Sequence, residues 1–216
     1  MKILELFSGT ESFSKVAKAR GHDVFTIDVD RSFNPDLCKD ILEVSREDIP
    51  FKPDVIWASP PCTTFSDASI RHYWKEGYPK NHKTFIGLAI ISKTIELIKE
   101  LEPKFFFIEN PRGMLRKQKL MEQLKRDTVT YCQYGHTVQK PTDIWNNCFS
   151  WKPRPMCKPG ADCHERASRS SRNGVQGINN SFSNLGSAGK VQRAIVPEEL
   201  CLEIIKCCEE NYEKRK

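Results

Sequence analysis

Asp54-Val55-Ile56-Trp57-Ala58-Ser59-Pro60-Pro61-Cys62 decides how this chain is read, together with Phe105-Phe106-Phe107-Ile108-Glu109-Asn110-Pro111-Arg112-Gly113. Each stretch opens on a short apolar run of the kind a buried parallel strand needs, and each ends on residues that carry chemistry. A third run, Ile3-Leu4-Glu5-Leu6-Phe7, ends in the turn Ser8-Gly9-Thr10. Val24 to Asp28 reads as a strand, a short strand precedes Asp40, and Val129 to Cys132 reads as another. Helical patterns lie between them. Ser12 to Arg20 is stopped by Gly21, and Thr84 to Leu101 carries Phe85, Leu88, Ile91, Ile95, Ile98 and Leu101 on or near one face. The alternation predicts an α/β fold with a mostly parallel sheet covered by helices on both faces. Ligands of such sheets bind beyond the carboxyl ends of the strands, so Cys62, Glu109 and the glycine turn are expected to share one pocket.

The chain has 216 residues, enough for one domain with a small insertion. No apolar run approaches the ~18 residues of a membrane span, and Met1 to Phe7 reads as a first strand rather than a secretory leader. Nine scattered cysteines, an odd number, fit a reduced cytoplasmic protein better than a disulfide scaffold. Cys207 and Cys208 fall in a C-terminal helix, Glu198 to Tyr212, which opens after Pro197. Residues 152–193 carry eight basic side chains against two acidic ones, the whole of the chain's net charge of +6. A basic surface so concentrated fits a nucleic-acid partner; nothing suggests a membrane or an obligate protein partner. Three parts are expected: a core over 1–147, a small basic insert over 148–193, and a C-terminal helix over 194–216 that returns to the core.

Two prolines stiffen the backbone ahead of Cys62 and hold its thiol at the strand end, where a nucleophile belongs. Glu109 ends a strand as apolar as Phe-Phe-Phe-Ile, and the partial desolvation suits a proton donor. Asp28 ends the second strand about 20 residues beyond the glycine turn, where an adenosyl ribose is commonly gripped, and Asp40 suits an adenine amino group. Glu11 would repel a pyrophosphate, which disfavours NAD or ATP and favours a cofactor without phosphates.

In order and spacing these residues resemble the cytosine-5 DNA methyltransferases: a Phe-x-Gly loop, a ribose acid, Pro-Pro-Cys, then Glu-Asn. The resemblance covers residues 1 to about 147 and is closest to short bacterial and phage members, some of which serve restriction-modification. It implies a Rossmann-like class I methyltransferase sheet, S-adenosylmethionine as donor and double-stranded DNA as substrate. It also implies roles. Cys62 would attack C6 of a flipped cytosine and Glu109 would hold or protonate N3, while Phe7, Ser8, Gly9, Asp28, Asp40 and Pro60 would line the donor pocket. The chain departs from the family at Glu11, where glycine is usual, at Thr63, where glutamine is common, and at Pro111, where valine is usual. The family's Gln-x-Arg-x-Arg motif is not evident, and Arg112 and Lys140 are candidates to replace it. An RNA substrate, amino-group methylation, or DNA binding without catalysis are the alternative readings.

Within the insert, Arg166, Arg169 and Arg172 are candidate DNA contacts, and its small size predicts a short or loosely read target. Cys148, Cys157, Cys163 and His164 form a possible zinc set at spacings unlike paired CxxC. His72, Tyr73, Trp74, Tyr78, Lys80, His82 and Lys83 interleave aromatic and basic character after Cys62, as a lid over nucleic acid would.

Overall fold

The parallel strands form where the apolar runs predict them. A computed structural model describes residues 1–158, 160–164 and 194–215. In chain order the strands are β1 (Lys2–Leu6), β2 (Asp23–Asp28), β3 (Leu37–Cys38), β4 (Val55–Ala58), β5 (Trp74–Lys75), β6 (Tyr78–Pro79), β7 (Phe105–Pro111), β8 (Arg126–Thr130) and β9 (Pro141–Asn146). The helices are α1 (Ser12–Ala19), α2 (Ile70–Tyr73), α3 (His82–Leu101) and α4 (Glu198–Asn211). Seven strands make one sheet in the order β3-β2-β1-β4-β7-β9-β8, and β5 and β6 form a separate hairpin. β1 runs parallel to β2 and β4, and β4 runs parallel to β7. Only β9 opposes its neighbours. The connections reverse direction at β1, and the crevice between the β1 and β4 ends is the topological switch point of the sheet.

Alternation along the strands feeds two cores. Ile3, Val55, Trp57, Phe105 and Phe107 point to one face, which α1 and α4 cover with Phe13, Val16, Leu200 and Ile204. Phe13 stacks on Trp57 with ring centroids 4.7 Å apart. Leu4, Leu6, Ile56, Ala58 and Ile108 point to the other face, under Ile91, Leu97, Ile98 and Leu101 of α3. The buried stripe of α3 also takes in Thr84, Gly87 and Thr94, while Phe85 is 57% exposed. Leu88 and Ile95 are half-buried against the same core, so of the predicted stripe only Phe85 turns outward, at the end of the helix where Thr84 Oγ1 donates to the carbonyl of Tyr73, the last residue of α2.

β9 was not anticipated, since Pro141-Thr142-Asp143-Ile144-Trp145-Asn146 is too polar to read as a central strand. Its polar residues are buried but partnered. Asp143, fully buried, takes Arg116 in a two-pronged pair and accepts from Thr128 Oγ1 at 2.8 Å. Asn146 donates to Asp127 at 3.0 Å.

Glu5 is a buried carboxylate in the middle of β1, and Ser14 N donates to it at 2.8 Å. Desolvation outweighs that bond and pushes its pKa from 4.5 up to about 7. The folded state then holds the proton to higher pH than the unfolded chain does, so stability falls as pH rises through that window. Glu5→Gln is expected to flatten the decline and to gain about 1–3 kcal/mol at about pH 8 relative to wild type. Urea denaturation at about pH 5 and about pH 8 checks this; an identical pH response in both proteins contradicts it.

Candidate active site

The Pro-Pro-Cys loop and the Glu-Asn strand end are fastened to each other. β4 and β7 are hydrogen-bonded neighbours, with Ala58 opposite Ile108. Beyond that pair, Asn110 Nδ2 donates to the buried Pro60 carbonyl at 2.9 Å. Met114 N donates to the Phe65 carbonyl at 2.7 Å, and Ser66 bridges to Gly113. Gly113 is required by this approach, because a Cβ there would sit 2.1 Å from the Phe65 carbonyl oxygen. Cys62 is half-buried, and its carbonyl accepts from Phe65 N at 2.9 Å and Ser66 N at 3.0 Å, so the residue opens a tight turn.

Glu109 is 5% exposed. Tyr131 Oη donates to its Oε1 at 2.8 Å, and Lys140 Nζ lies 3.9 Å from the same oxygen. Lys140 also sits 4.5 Å above the Tyr131 ring. Burial, and then the Glu109 carboxylate, hold the Tyr131 phenol well above its usual range, so it remains a donor. Burial and the nearby Lys140 charge lower the pKa of His136, whose ring lies 6.0 Å from that of Tyr131. Of the two candidates for the missing arginine motif, Lys140 therefore lies beside Glu109, whereas Arg112 is exposed and is held through its backbone N–H to Pro141. Tyr131 was not foreseen as a site residue. Its position at the end of a predicted strand was the available signal.

The β1 end is a tight loop in which Phe7, Gly9 and Glu11 all take positive φ, at 59°, 44° and 55°. Asp28 at the end of β2 organises it, accepting from Gly9 N at 2.9 Å and from Asp30 N at 2.8 Å. Ser8 Oγ is buried with no protein partner, an unmet polar atom of the kind a ligand satisfies. Asp40 is exposed beyond β3 and accepts from Leu42 N at 3.0 Å. Val29, next to Asp28, is 67% exposed and presents an apolar surface that the sequence did not draw attention to. Glu11 holds the left-handed conformation that glycine adopts without cost, with its side chain 3.0 Å from Lys18. Glu11→Gly is expected to be about 1 kcal/mol more stable than Glu11→Ala, since both lose the Lys18 pair and only alanine keeps the strain. Equal midpoints in urea contradict this.

The Cys/His grouping that the sequence offers as a possible zinc set changes in one member. Cys148 is fully buried in the core against Ser150 and Cys207, not beside Cys157. Cys132 takes its place, and Cys132, Cys157, Cys163 and His164 place one ligand atom each within 4.8 Å of one another. Trp74, one of the predicted lid aromatics, is buried and donates to the Thr64 carbonyl at 2.6 Å, while Tyr78 at the hairpin tip is 74% exposed. Arg166, Arg169 and Arg172 lie outside the described residues. Among the described residues no helix is long and apolar enough to cross a membrane. A wide charged concavity lined by Lys2, Lys52, Asp54 and Glu102 lies at the amino ends of β1 and β4, the end of those strands opposite the Cys62 turn.

A mostly parallel sheet with one opposed strand, a glycine loop after β1 and an acid after β2 is the Rossmann-like architecture of class I methyltransferases. The family model described as C-5 cytosine-specific DNA methylase matches residues 1–139, and the chain belongs to that family. A protein of Frog virus 3 (isolate Goorha) named probable DNA (cytosine-5)-methyltransferase is 32% identical over 161 residues, 71% of this chain and 74% of that protein. The type II methyltransferase M.FnuDI of Fusobacterium nucleatum is 28% identical over 148 residues, 64% of this chain but only 40% of its own length. Among solved structures, Entamoeba histolytica methyltransferase EhMeth shares the fold with a TM-score of 0.52 at 12% identity, covering 73% of this chain and 57% of that one. S. pombe Dnmt2 methyltransferase does so with a TM-score of 0.51 at 16% identity, covering 72% and 53%. This chain thus spans little more than half of either solved structure.

Proposed function

We propose that the protein transfers a methyl group from S-adenosylmethionine to C5 of a cytosine in double-stranded DNA. The observation that carries this reading is the fastening of the Cys62 turn to the Glu109 strand end through Asn110 and Pro60. That contact holds the turn that carries a nucleophile against the strand end that carries a carboxylic acid. The donor's residues fit as well. Asp28 can accept ribose hydroxyls alongside its two backbone bonds, because a carboxylate oxygen accepts more than one. Ser8 Oγ has an unmet bond, and Val29 offers an apolar face beside the ribose position. Phe7, Gly9, Asp40 and Pro60 complete the lining.

When bound, S-adenosylmethionine supplies an electrophilic methyl group on a positive sulfur. The target base must first leave the duplex stack to be reached. Cys62 Sγ forms a bond to C6, and the C5–C6 electron pair is driven onto C5. Glu109, oriented by Tyr131 and faced by Lys140, bonds or protonates N3 and stabilises the ring as charge develops. C5 would then take the methyl group as its bond to the donor sulfur breaks, the sulfur leaving as a neutral thioether. A base then removes the C5 proton, the C5–C6 double bond re-forms, and Cys62 departs as thiolate.

Incubation with S-adenosylmethionine labelled in the methyl group, on duplex DNA and separately on transfer RNA, tests the proposal. Label recovered as 5-methylcytosine from DNA supports it. Label in RNA alone, or on an exocyclic amino group, overturns it.

A further inference from the structure

The cysteine and histidine cluster behind the active face has the geometry of a closed metal site. Cys132 Sγ lies 3.7 Å from Cys163 Sγ and 3.1 Å from Cys157 Sγ. His164 Nδ1 lies 3.5 Å from Cys163 Sγ and 3.8 Å from Cys157 Sγ. Tetrahedral zinc, with bonds of about 2.3 Å to sulfur and about 2.0–2.1 Å to nitrogen, requires edges of roughly 3.5–3.8 Å. Three of these four separations fall in that range, the fourth, at 3.1 Å, widens to it by a small rotation of one side chain, and every pair of ligand atoms lies within 4.8 Å. We propose that Cys132, Cys157, Cys163 and His164 bind a zinc ion that fastens the start of the basic insert to the turn beside the active site.

The surroundings support this. Cys132 belongs to the short turn Tyr131–Tyr134 that follows β8, so it is carried by the sheet. Cys157 is laid against that turn by its own N–H, which donates to Thr130 Oγ1 at 2.9 Å. Gly160, at φ +82°, reverses the chain so that Cys163 and His164 come back to the same point. Adjacent ligands, awkward on a regular strand or helix, are accommodated by this turn. Two amides support thiolate charge, as partners of metal-bound sulfur do: Gln139 Nε2 donates to Cys157 Sγ at 2.9 Å and Gln133 Nε2 donates to Cys163 Sγ at 3.2 Å. Four protein ligands leave no open position, so the ion is structural, not catalytic. Soft thiolates with one imidazole favour zinc over magnesium or calcium. The ion also has a connection to the chemistry. Cys132 directly follows Tyr131, the donor to Glu109, so the site stiffens that turn from the insert side.

The test is metal analysis of the whole chain, expressed in zinc-supplied medium and purified under a non-chelating reductant. Wild type and Cys148→Ser are expected to hold about one zinc per chain, and Cys132→Ser and Cys163→Ser much less than half of that. Should the ligand variants fail to fold, cobalt substitution of wild type decides. Stripped protein refilled with cobalt is expected to show the intense visible bands of tetrahedral cobalt and thiolate-to-metal charge transfer. Folded, reduced wild type that holds far less than one zinc and takes up none overturns the proposal. So does an octahedral cobalt spectrum, or loss of the metal in Cys148→Ser. All of these readouts are independent of whether the protein methylates DNA.

Discussion

Cys62→Ser is expected to reduce methyl transfer to cytosine by at least about 10³-fold while leaving DNA and donor binding within a few-fold of wild type. A serine hydroxyl nearly matches the thiol in size, so the turn that Cys62 opens, with its carbonyl accepting from Phe65 and Ser66, is preserved. What is lost is a thiol, whose anion forms far more readily than an alkoxide and is the better nucleophile. Single-turnover rates with labelled donor, beside filter binding of the same duplex, separate the two effects. A serine variant that turns over at a rate close to wild type would show that addition to C6 does not run through this residue.

Gly113→Ala is expected to lower the transfer rate by about 10²-fold or more and to destabilise the protein by about 2–4 kcal/mol. The new Cβ would meet the Phe65 carbonyl oxygen at 2.1 Å and the Asp67 nitrogen at 3.2 Å. Both are backbone atoms and cannot rotate away. The Ser66 to Gly113 bridge and the Met114 to Phe65 hydrogen bond must open, and the Cys62 turn shifts relative to Glu109. Displacement of a reacting group by about 1 Å suffices for a loss of this size. Urea denaturation and single-turnover kinetics on the same preparation check the two halves of the prediction. An alanine variant with wild-type stability and rate contradicts the close approach.

The core of the fold was legible because its strands are short apolar runs that end in turn residues. Val55 to Ala58 are buried on both faces and Phe105 to Ile108 nearly so, with Phe106 half-buried, and no other element accommodates them. The positions of Cys62, Glu109, Asp28 and Gly9 in the sheet were legible for a related reason: each lies where such an apolar run stops. β9 was not, because its burial rests on tertiary partners that no local pattern carries, above all Arg116 for Asp143. The membership of the Cys/His cluster was not legible for the same reason. Cys148 and Cys157 are near in sequence, yet Cys132, in the turn after β8, is the residue that faces Cys157 and Cys163. The left-handed geometry of Glu11 accounts for glycine being usual at that position and shows that the departure is tolerated at a cost in strain.

The central claim is that Cys62 attacks a cytosine whose C5 then accepts the methyl group. Its most direct test is trapping on a DNA duplex containing 5-fluorocytosine in the presence of S-adenosylmethionine. Fluorine at C5 blocks the release step, so a covalent complex resistant to denaturation should accumulate with wild type, with the DNA attached to the Cys62 peptide, and should be absent with Cys62→Ser. Intact binding of the duplex with no covalent complex, or attachment at another residue, would contradict the account.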